Sequence, residues 1–313
     1  MKVAVVAHAG KTLGGGLPEL RRALEAAGIA DPFWREVRKS AKAPTQVQRA
    51  LDDGAELLIA WGGDGLVQRC VDTLAGSGSD VPLAIIPAGT ANLFATSLGI
   101  PGDIEDALAV GLRGERRPLD VGRFNGERFA VMAGAGFDAA MIQDAAAGLK
   151  DRVGRAAYVW TGVKNIRSKS FRATIKVDGA AWYKGSASCI LVGNIGSLFG
   201  GVEVFEDARP DDGKLELGVV TADGVLEWSR LLARVAAGRA SKSPFAQTTK
   251  ARKVKVKFDR KVLYELDGGD RTEVRAFKIK VEPGAVLVCV PDRDGAKDRA
   301  EKAGVGEERA SVA

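Results

Sequence analysis

The chain has 313 residues, of which 46% are hydrophobic and 27% charged, as expected for a globular protein of one or two domains. No stretch approaches the roughly 18 continuous apolar residues of a transmembrane helix, and the opening MKVAVVAHAG resembles a buried strand more than a signal peptide. We therefore expect a cytoplasmic protein. The single histidine, His8, excludes a histidine-rich zinc site, and the three dispersed cysteines in apolar surroundings indicate buried thiols.

The net charge of +6 is unevenly distributed along the chain. Basic residues concentrate in 149–172 and again in TTKARKVKVKF, which carries five of them and no acidic residue. A basic face can bind phosphates, nucleic acid or an anionic membrane, and an ordinary solvated surface is the alternative. Because the sequence has neither an RNA-binding aromatic signature nor a zinc finger, we expect no nucleic-acid partner.

The first third of the chain alternates between strand and helix patterns. Strands are predicted at KVAVVAH, AELLIAWG and VPLAIIPAG, and helices at LPELRRALEAAGI, PTQVQRALDDG, LVQRCVDTLAG, NLFATSLGI and IEDALAVGLRG. The continuous apolar strands are typical of a parallel sheet that is covered on both faces. Residues 1–122 are therefore predicted to form an α/β domain with a parallel sheet.

The pattern changes after about residue 123, where short strands alternate with Gly, Asp and Asn turns. Residues 123–284 are predicted to form an antiparallel β-sandwich domain, with helical inserts at about 141–168 and 225–237. The apolar strand at 285–291 is expected to pair back with the first domain. The polar tail 292–313 is expected to be disordered or a frayed helix.

The sequence GGDG at 62–65 joins a predicted strand directly to a predicted helix. Backbone N–H groups and the helix dipole make such a loop a site for anions, most commonly phosphate. The carboxylate of Asp64 would repel a phosphate, and two interpretations resolve the conflict. Asp64 caps the helix, or a Mg²⁺ ion lies between its carboxylate and the phosphates of a nucleotide.

A second strand, glycine turn and helix follow in IIPAGTANLFATSLGIP, where Gly89, Thr90 and Asn92 lie at the start of the helix. Neighbouring strands of a parallel sheet end at the same edge, so this loop and the GGDG loop can border one crevice. The pair predicts a nucleotide site. The alternative is two well-capped helices that bind no ligand.

Together the two motifs resemble the catalytic domain of the diacylglycerol kinase family, including bacterial lipid kinases. The similarity continues through LDVGRFNGERFAVMAGAGFDA and VGNIGSLFGGVEVFEDARPDDGKLELGVV to YELDGGD. The resemblance implies ATP-dependent phosphoryl transfer, assisted by Mg²⁺, to a hydroxyl of a diacylglycerol-like lipid. It also favours a peripheral position at the inner face of an anionic membrane, held there by basic residues.

The resemblance assigns nucleotide and metal contacts residue by residue. ATP would contact Gly10, Lys11, Thr12, Gly62, Gly63, Asp64, Gly65, Gly89, Thr90 and Asn92. Mg²⁺ would lie near Asp64 and Asp120. The turn ARPDDGKL matches a second metal site of bacterial members, with the side chain of Asp212 and the carbonyls of Arg209 and Lys214 as ligands; an ordinary β-turn is the alternative.

The chain departs from the family pattern at several positions of the site. Leu66 replaces the usual threonine of the first loop, Arg69 replaces a glutamate in the following helix, and Leu93 replaces an aspartate. The family's opening motif is altered to AHAGKTLGGG. Leu66 leaves the glycines and Asp64 in place, so nucleotide binding is still expected.

The largest departure concerns the general base. The family ends its site with Asp-Gly-Glu, in which the glutamate accepts the proton of the lipid hydroxyl, whereas here the sequence is Asp267, Gly268, Gly269 and Asp270. Asp270 is the local substitute, and Asp267 is the second candidate. A shift of one residue along a strand changes the face of the sheet, but a glycine turn could redirect the next residue. A plain hairpin turn is the alternative.

These observations predict an active lipid kinase. Two alternatives stay open: a nucleotide- or lipid-binding homologue with impaired catalysis, because the site departs from the family at these positions, and a kinase of a soluble acceptor such as NAD. The sequence does not indicate an oligomeric state.

Overall fold

A computed structural model of the chain describes residues 1–136, 170–198, 202–236, 239 and 242–292. The helical insert expected at 141–168 lies outside the described residues, as does the tail from 293. The chain divides into two compact units, the first formed by Met1–Leu74, Ser79–Pro118 and the segment from Leu287, the second by Ala75–Gly78 and Leu119–Val286. Each unit is described by itself.

Unit 1 contains four parallel strands, β1 (Val3–His8), β2 (Phe33–Val37), β3 (Leu57–Gly62) and β4 (Leu83–Pro87). They pair in the order β2-β1-β3-β4, and Val288 of the chain's last strand pairs in parallel with Leu83 of β4. Every residue of β3 and β4 is buried, as expected for central strands of a covered parallel sheet. The predicted parallel α/β architecture is confirmed.

The helices of unit 1 begin and end close to the predicted signals. They are α1 (Leu17–Ala26), α2 (Ala43–Asp52), α3 (Asp64–Ser77), α4 (Leu93–Ser97) and α5 (Ile104–Arg113), with a 3₁₀ turn at Ser40–Lys42. Asp103 caps α5 by accepting hydrogen bonds from the backbone N–H groups of Glu105 and Asp106. Helix α4 is shorter than the predicted NLFATSLGI, because Gly99 adopts a φ of 70°.

Unit 2 is built mainly from antiparallel strands. They are β5 (Glu115–Phe124), β6 (Glu127–Phe129), β7 (Met132–Ala135), β8 (Phe171–Val177), β9 (Ala180–Ala187), β10 (Cys189–Gly193), β11 (Ser197–Leu198), β12 (Val202–Glu203), β13 (Leu215–Val220), β14 (Ala246–Ala251), β15 (Lys253–Val262), β16 (Tyr264–Leu266), β17 (Gly269–Asp270) and β18 (Val274–Val290), with β5 and β18 each extending into unit 1. One helix, α6 (Gly224–Ala236), lies where the second insert was predicted.

Two sheets of unit 2 share one apolar core. One has the order β14-β13-β10-β7-β16-β17, and the other contains β9, β8, β15 and β18, with β5 beside β18 and β6 beside β5. Side chains from both sheets form a single buried cluster. Within it, Phe124 stacks on Tyr264 of the other sheet with ring centroids 4.3 Å apart. The ring centroid of Phe277, which lies on the same sheet as Phe124, is 4.6 Å from that of Phe124. The predicted β-sandwich is confirmed.

The three cysteines are free and buried, as predicted. Desolvation raises the pKa of Cys70 to about 12 and that of Cys289 to about 11, so both thiols stay protonated at neutral pH. In the part of the chain that the structure describes, no helix is long and apolar enough to cross a membrane.

Candidate active site

The predicted nucleotide-binding residues of unit 1 lie at the carboxyl ends of three adjacent strands. Gly10, Lys11 and Thr12 follow β1, GGDG ends β3 and opens α3, and Gly89 to Asn92 follow β4. The strand order changes direction at β1, which has β2 on one side and β3 on the other. Such a switch point is where open α/β sheets bind ligands, because the loops leave in opposite directions and open a crevice.

The two glycine loops approach each other so closely that neither accommodates a side chain at the contact. A Cβ atom built on Gly89 would lie 2.5 Å from the Cα of Gly63, and one built on Gly63 would lie 3.0 Å from the Cα of Gly89. The backbone N–H of Ala88 donates to the carbonyl of Gly62 at 2.9 Å. The loops therefore form one continuous backbone surface, as predicted from their positions on neighbouring strands.

Asn92 organises the second loop. Its Oδ1 accepts a hydrogen bond from the N–H of Gly89 at 2.8 Å, and its Nδ2 donates to the carbonyl of Gly89 at 3.0 Å. The residue adopts a left-handed φ of 48°, which asparagine tolerates better than most residues. Asn92 thus holds the turn in shape, and its contact with a nucleotide stays a prediction.

Asp64 connects the first loop to the second. It is the first residue of α3, but its Oδ1 accepts a hydrogen bond at 3.2 Å from the N–H of Phe94 in α4. The capping interpretation assigned Asp64 to its own helix, α3, whereas this bond places the carboxylate at the first turn of α4, the helix of the other loop. Desolvation raises the pKa of Asp64, although backbone N–H groups around it, chiefly that of Phe94, oppose the shift.

The environment of Asp64 fits a divalent cation. Its carboxylate is a hard oxygen donor of the kind that Mg²⁺ prefers, and it forms no ion pair with any described residue. A cation beside it would offset the electrostatic cost of burying the negative charge. Asp64 would therefore hold the metal that the family resemblance implies.

Leu66 does not point a polar group towards the loop. Its side chain is 1% exposed and packs beneath Gly62, where a Cβ atom would lie 2.6 Å from Leu66 Cδ2. Gly62 and Leu66 therefore fit one another, and the missing threonine hydroxyl is replaced by apolar packing. The leucine removes a side-chain hydroxyl but no backbone N–H group of the GGDG loop.

The structure places a further residue, Ser40, beside the GGDG loop, and the sequence analysis did not single it out. Ser40 opens the 3₁₀ turn after β2, and a Cβ atom built on Gly65 would lie 3.9 Å from its hydroxyl oxygen. The hydroxyl therefore lies next to the GGDG loop. Recognising it required β2, whose sequence FWREV lacks a continuous apolar run and was not predicted as a strand.

In unit 2, Asp120 holds the turn that the family resemblance links to a second metal site. Its backbone N–H donates to the carbonyl of Pro210 at 2.6 Å, and its Oδ2 accepts from the N–H of Gly213 at 2.6 Å. Its Oδ1 accepts from the N–H of Gly284 at 2.9 Å, and the side chain is almost fully buried. These contacts favour a positioning role, and the metal contact of Asp120 stays a prediction.

Asn194 adds a further support that the sequence analysis did not single out. Its Nδ2 donates to the carbonyl of Asp120 at 2.8 Å and to that of Ala130 at 2.9 Å. Asn194 is 1% exposed, so its polar side chain is retained in the core by these two bonds. Its position in VGNIGSLFGG was the available signal.

The predicted metal site at Asp212 already contains a positive charge. Asp212 Oδ1 accepts from the N–H of Lys214 at 2.9 Å, and Oδ2 lies 3.3 Å from Lys250 Nζ. The same ammonium lies 3.1 Å from Glu216 and donates to the carbonyl of Asp207 at 3.0 Å. The hydrogen bond to Glu216 is the main cause that raises the pKa of Lys250. A divalent ion would have to displace this ammonium, so these side chains fit the implied metal poorly.

No group of three or more His, Cys, Asp or Glu side chains that could hold a metal ion occurs among the described residues. The predicted ligand set consists of the side chain of Asp212 and the carbonyls of Arg209 and Lys214, so it contains only one charged ligand. It stays a prediction, and the ammonium of Lys250 provides a way to test it.

Replacing Lys250 with methionine is expected to destabilise the protein in EDTA by about 1–2 kcal/mol, because Asp212 and the mostly buried Glu216 lose their counter-charge. Mg²⁺ should stabilise this variant more than the wild type, in which only the site at Asp64 would respond; thermal denaturation in EDTA and in Mg²⁺ measures the difference. Lys261→Met, at an exposed position of β15, is the matched control. Equal stabilisation of the variant and the wild type by Mg²⁺ would show that removing Lys250 does not open a metal site at Asp212.

The DGGD segment forms a β-hairpin with a two-residue turn. Asp267 and Gly268 occupy the turn with φ values of 48° and 75°, while Leu266 pairs with Gly269 and Glu265 pairs with Asp270. Asp-Gly with two positive φ angles is typical of a type I′ turn. Gly269 is therefore a strand residue, and the expectation that it could redirect Asp270 from within the turn is wrong. Consecutive strand positions face opposite sides, so position 270 does not replace position 269 geometrically.

Asp267 anchors this hairpin. Its Oδ2 accepts from the N–H of Ala130 at 2.8 Å, and its Oδ1 accepts from Val131 and Met132 at 2.9 and 2.8 Å. The residue is 8% exposed, and its own N–H donates to the carbonyl of Met132. Three backbone donors occupy its carboxylate, so the arrangement favours a structural role for Asp267 and leaves Asp270 as the proposed base.

Replacing Asp267 with alanine is expected to reduce the free energy of unfolding by about 3–4 kcal/mol. Three buried N–H donors lose their acceptor, and alanine is also disfavoured at a left-handed φ. Asp267→Asn should lose roughly half as much, because asparagine keeps one acceptor and tolerates this backbone. Urea denaturation of both variants measures the difference, and equal stability of the alanine variant and the wild type would contradict the anchoring role.

Joined glycine loops at a sheet switch point, together with an antiparallel sandwich, define a kinase-like α/β unit accompanied by a β-sandwich. Residues 2–124 match the family described as the diacylglycerol kinase catalytic domain, and residues 131–290 match the YegS C-terminal NAD kinase beta sandwich-like domain. The chain belongs to the diacylglycerol kinase catalytic-domain family, which confirms the resemblance seen in its motifs.

A curated relative agrees with this assignment, and two solved structures share the fold. The chain is 32% identical over 215 residues to a diacylglycerol kinase of Bacillus subtilis, an alignment that spans 68% of this chain and 71% of the relative. A crystal structure of a diacylglycerol kinase from Bacillus anthracis superposes with a TM-score of 0.72 at 23% identity, covering 92% of this chain and 96% of the other. An NAD kinase from Archaeoglobus fulgidus in complex with ATP has the same fold, with a TM-score of 0.54 at 14% identity and coverage of 92% and 93%.

Proposed function

We propose that this chain is a lipid kinase that uses ATP and Mg²⁺ to phosphorylate a hydroxyl group of a diacylglycerol-like lipid. The observation that carries the proposal is the junction of the two glycine loops. Gly63 and Gly89 touch through their backbones, and Asp64 of one loop caps the helix of the other. The two loops are thereby brought together at one sheet edge, where the remaining backbone N–H groups could face a chain of phosphates.

In this proposal the loops of unit 1 bind and orient ATP. The N–H groups of GGDG and of the residues after Gly89 would contact the phosphates, with Ser40, Lys11 and Thr12 beside them. The N–H of Gly89 itself donates to Asn92. Asp64 would hold Mg²⁺, which supplies the positive charge that phosphoryl transfer requires. Phosphoryl transfer depends mainly on positioning and charge neutralisation, so the joined loops supply the larger part of catalysis.

Proton removal from the lipid hydroxyl is assigned to Asp270. The assignment is supported by the contacts of Asp267, which occupy its carboxylate and leave Asp270 as the other acid of the segment. Asp270 lies on the opposite face of the strand from the family's glutamate position. General base assistance contributes about 10²–10⁴-fold to a rate. An imperfectly placed base would therefore slow the reaction and leave nucleotide binding intact.

A lipid acceptor is favoured over NAD by the family that residues 2–124 match. The NAD kinase likeness is limited to the fold, whereas the PAGTANLF motif and the matched family are those of diacylglycerol kinases. A homologue with impaired catalysis is the second candidate, and the observation that favours it is the glycine at position 269.

Transfer of radiolabelled phosphate from ATP to a lipid panel tests the proposal. The panel contains diacylglycerol, ceramide, a sphingoid base, phosphatidylglycerol and a polyprenol, with NAD in a parallel reaction. Labelled phosphatidic acid from diacylglycerol is the expected product. Labelled NADP would transfer the assignment to a soluble acceptor, and ATP binding without transfer to any acceptor would identify an impaired homologue.

A further inference from the structure

One sheet of unit 2 carries a dense positive surface on its outer side. We call this surface the lysine face and define it by the exposed residues Lys176, Lys253, Lys255, Lys257, Lys278 and Lys280. Over the first six residues of β15 exposure alternates, with the three lysines outward and Val254 and Val256 in the core. The face therefore lies on the outer side of the sandwich, opposite its packed interior.

The strand register places like charges directly opposite one another. Lys253 pairs with Lys280, Lys255 pairs with Lys278, and on its other side Lys255 pairs with Lys176. Side chains opposed in this way lie about 5 Å apart at Cβ, and like charges there repel. The pattern therefore lowers the stability of the sheet and does not serve folding.

Acidic neighbours neutralise little of this charge. Glu282 lies 3.0 Å from Lys280, but it also binds Arg123 at 3.2 Å and Arg128 at 2.6 Å. One carboxylate is thus shared among three cations, and these side-chain bonds contribute to a lowered pKa of Glu282 against the opposing effect of desolvation. The other five members of the lysine face form no ion pair with any described residue.

We propose that the lysine face docks the protein on a membrane that contains anionic phospholipids, an inference that rests on the proposed lipid kinase function. Strands are about 4.8 Å apart and alternate residues about 6.8 Å apart, so the face presents an extended array of ammonium groups to a two-dimensional array of phosphates. Each lysine near an anionic bilayer adds to binding independently of specific contacts.

Vesicle co-sedimentation tests the surface without depending on catalysis. The full chain is mixed with vesicles of phosphatidylcholine alone or with 30% phosphatidylglycerol, between low and high salt. Binding should require phosphatidylglycerol and weaken as salt rises, because the Debye length falls. The triple variant Lys176→Gln, Lys255→Gln and Lys278→Gln should bind on the order of 100-fold more weakly, about fivefold for each lysine.

The control variant removes three basic residues elsewhere. Lys2→Gln, Arg22→Gln and Arg49→Gln are exposed positions of unit 1 and give the same net charge as the triple variant. Vesicle binding should be unchanged within about twofold in this control. An equal loss in both variants would show that net charge alone matters and would overturn the proposal, as would equal binding to vesicles with and without phosphatidylglycerol.

Three further measurements distinguish this proposal from its alternatives. The triple variant should have an equal or higher melting temperature, because opposed like charges are removed. In a separate binding assay, preferential binding of the wild type to RNA over vesicles would overturn the membrane assignment. In neutral detergent micelles that contain diacylglycerol, the triple variant should retain wild-type transfer. Absence of transfer in the wild type would contradict the proposed kinase function and leave the vesicle result as a separate test of the lysine face.

Discussion

Replacing Asp64 with asparagine is expected to abolish phosphoryl transfer while raising the melting temperature of the protein. Asparagine keeps the oxygen that accepts the N–H of Phe94, so the two loops stay joined. It removes the negative charge that would hold Mg²⁺, and we expect a loss on the order of 10³-fold or more in kcat. Radiolabel transfer and thermal denaturation of the same preparation measure the two effects.

The increase in stability follows from the direction of the pKa shift. Desolvation raises the pKa of Asp64 in the folded protein, so the ionised form costs folding free energy at pH values above the folded pKa. That cost is lost as the pH falls through the folded pKa. Near pH 7 asparagine removes it, and the stabilisation should disappear in acid. The site is thus stabilised by losing the charge that its chemistry requires.

Asp64→Ala separates the two roles of the carboxylate. Alanine removes the charge and the acceptor for Phe94 N–H, so this variant should lose transfer and also the stability that asparagine gains. Undiminished transfer in the asparagine variant would show that the charge of Asp64 is not needed, and Mg²⁺ would then have to be held elsewhere.

Much of the fold could be predicted because its strongest signals are local. Buried parallel strands such as AELLIAWG carry continuous apolar runs, and glycine or an N-cap residue marks many helix ends. Strand β2 was missed because its sequence is mixed and only Val37 is buried, as is common at a sheet edge. The final strand was read as two segments because Pro283 and Gly284 interrupt its pattern, whereas the structure has one strand, Val274–Val290.

The arrangement of the site could be predicted from the sequence only where the order of the strands places two loops side by side. The approach of Gly63 to Gly89 follows from their places after adjacent parallel strands. Bonds between distant segments have no such signal: Asp267 binds N–H groups 135 to 137 residues earlier in the chain, and Asp120 binds that of Gly213. A sequence shows such carboxylates as equivalent acids, and only packing decides which of them anchor the backbone and which can react.

Replacing Gly269 with glutamate is expected to increase the rate of lipid phosphorylation by about 10²-fold, because it restores a carboxylate at the family's general base position. The backbone permits the change, since Gly269 does not have a positive φ and lies in the strand after the turn. Its Cβ atom would lie 2.7 Å from Arg271 Nη1, the end of a flexible side chain, and 3.3 Å from the carbonyl oxygen of Leu266. A shift of Arg271 would relieve the first contact, and the carbonyl of Leu266 would have to move by a few tenths of an ångström to relieve the second. Initial rates at saturating ATP measure the gain.

Gly269→Gln is the matched control, because it adds the same bulk without a base. Arg271 already binds Glu127 and the carbonyl of residue 269, so it would attract a new carboxylate and lower that group's pKa. A gain that appears with glutamate, and is absent with glutamine, would assign the departure at 269 to proton transfer. Equal rates in both variants would contradict a missing base, and a large loss in Asp270→Asn would then show that residue 270 performs the step from the neighbouring strand position.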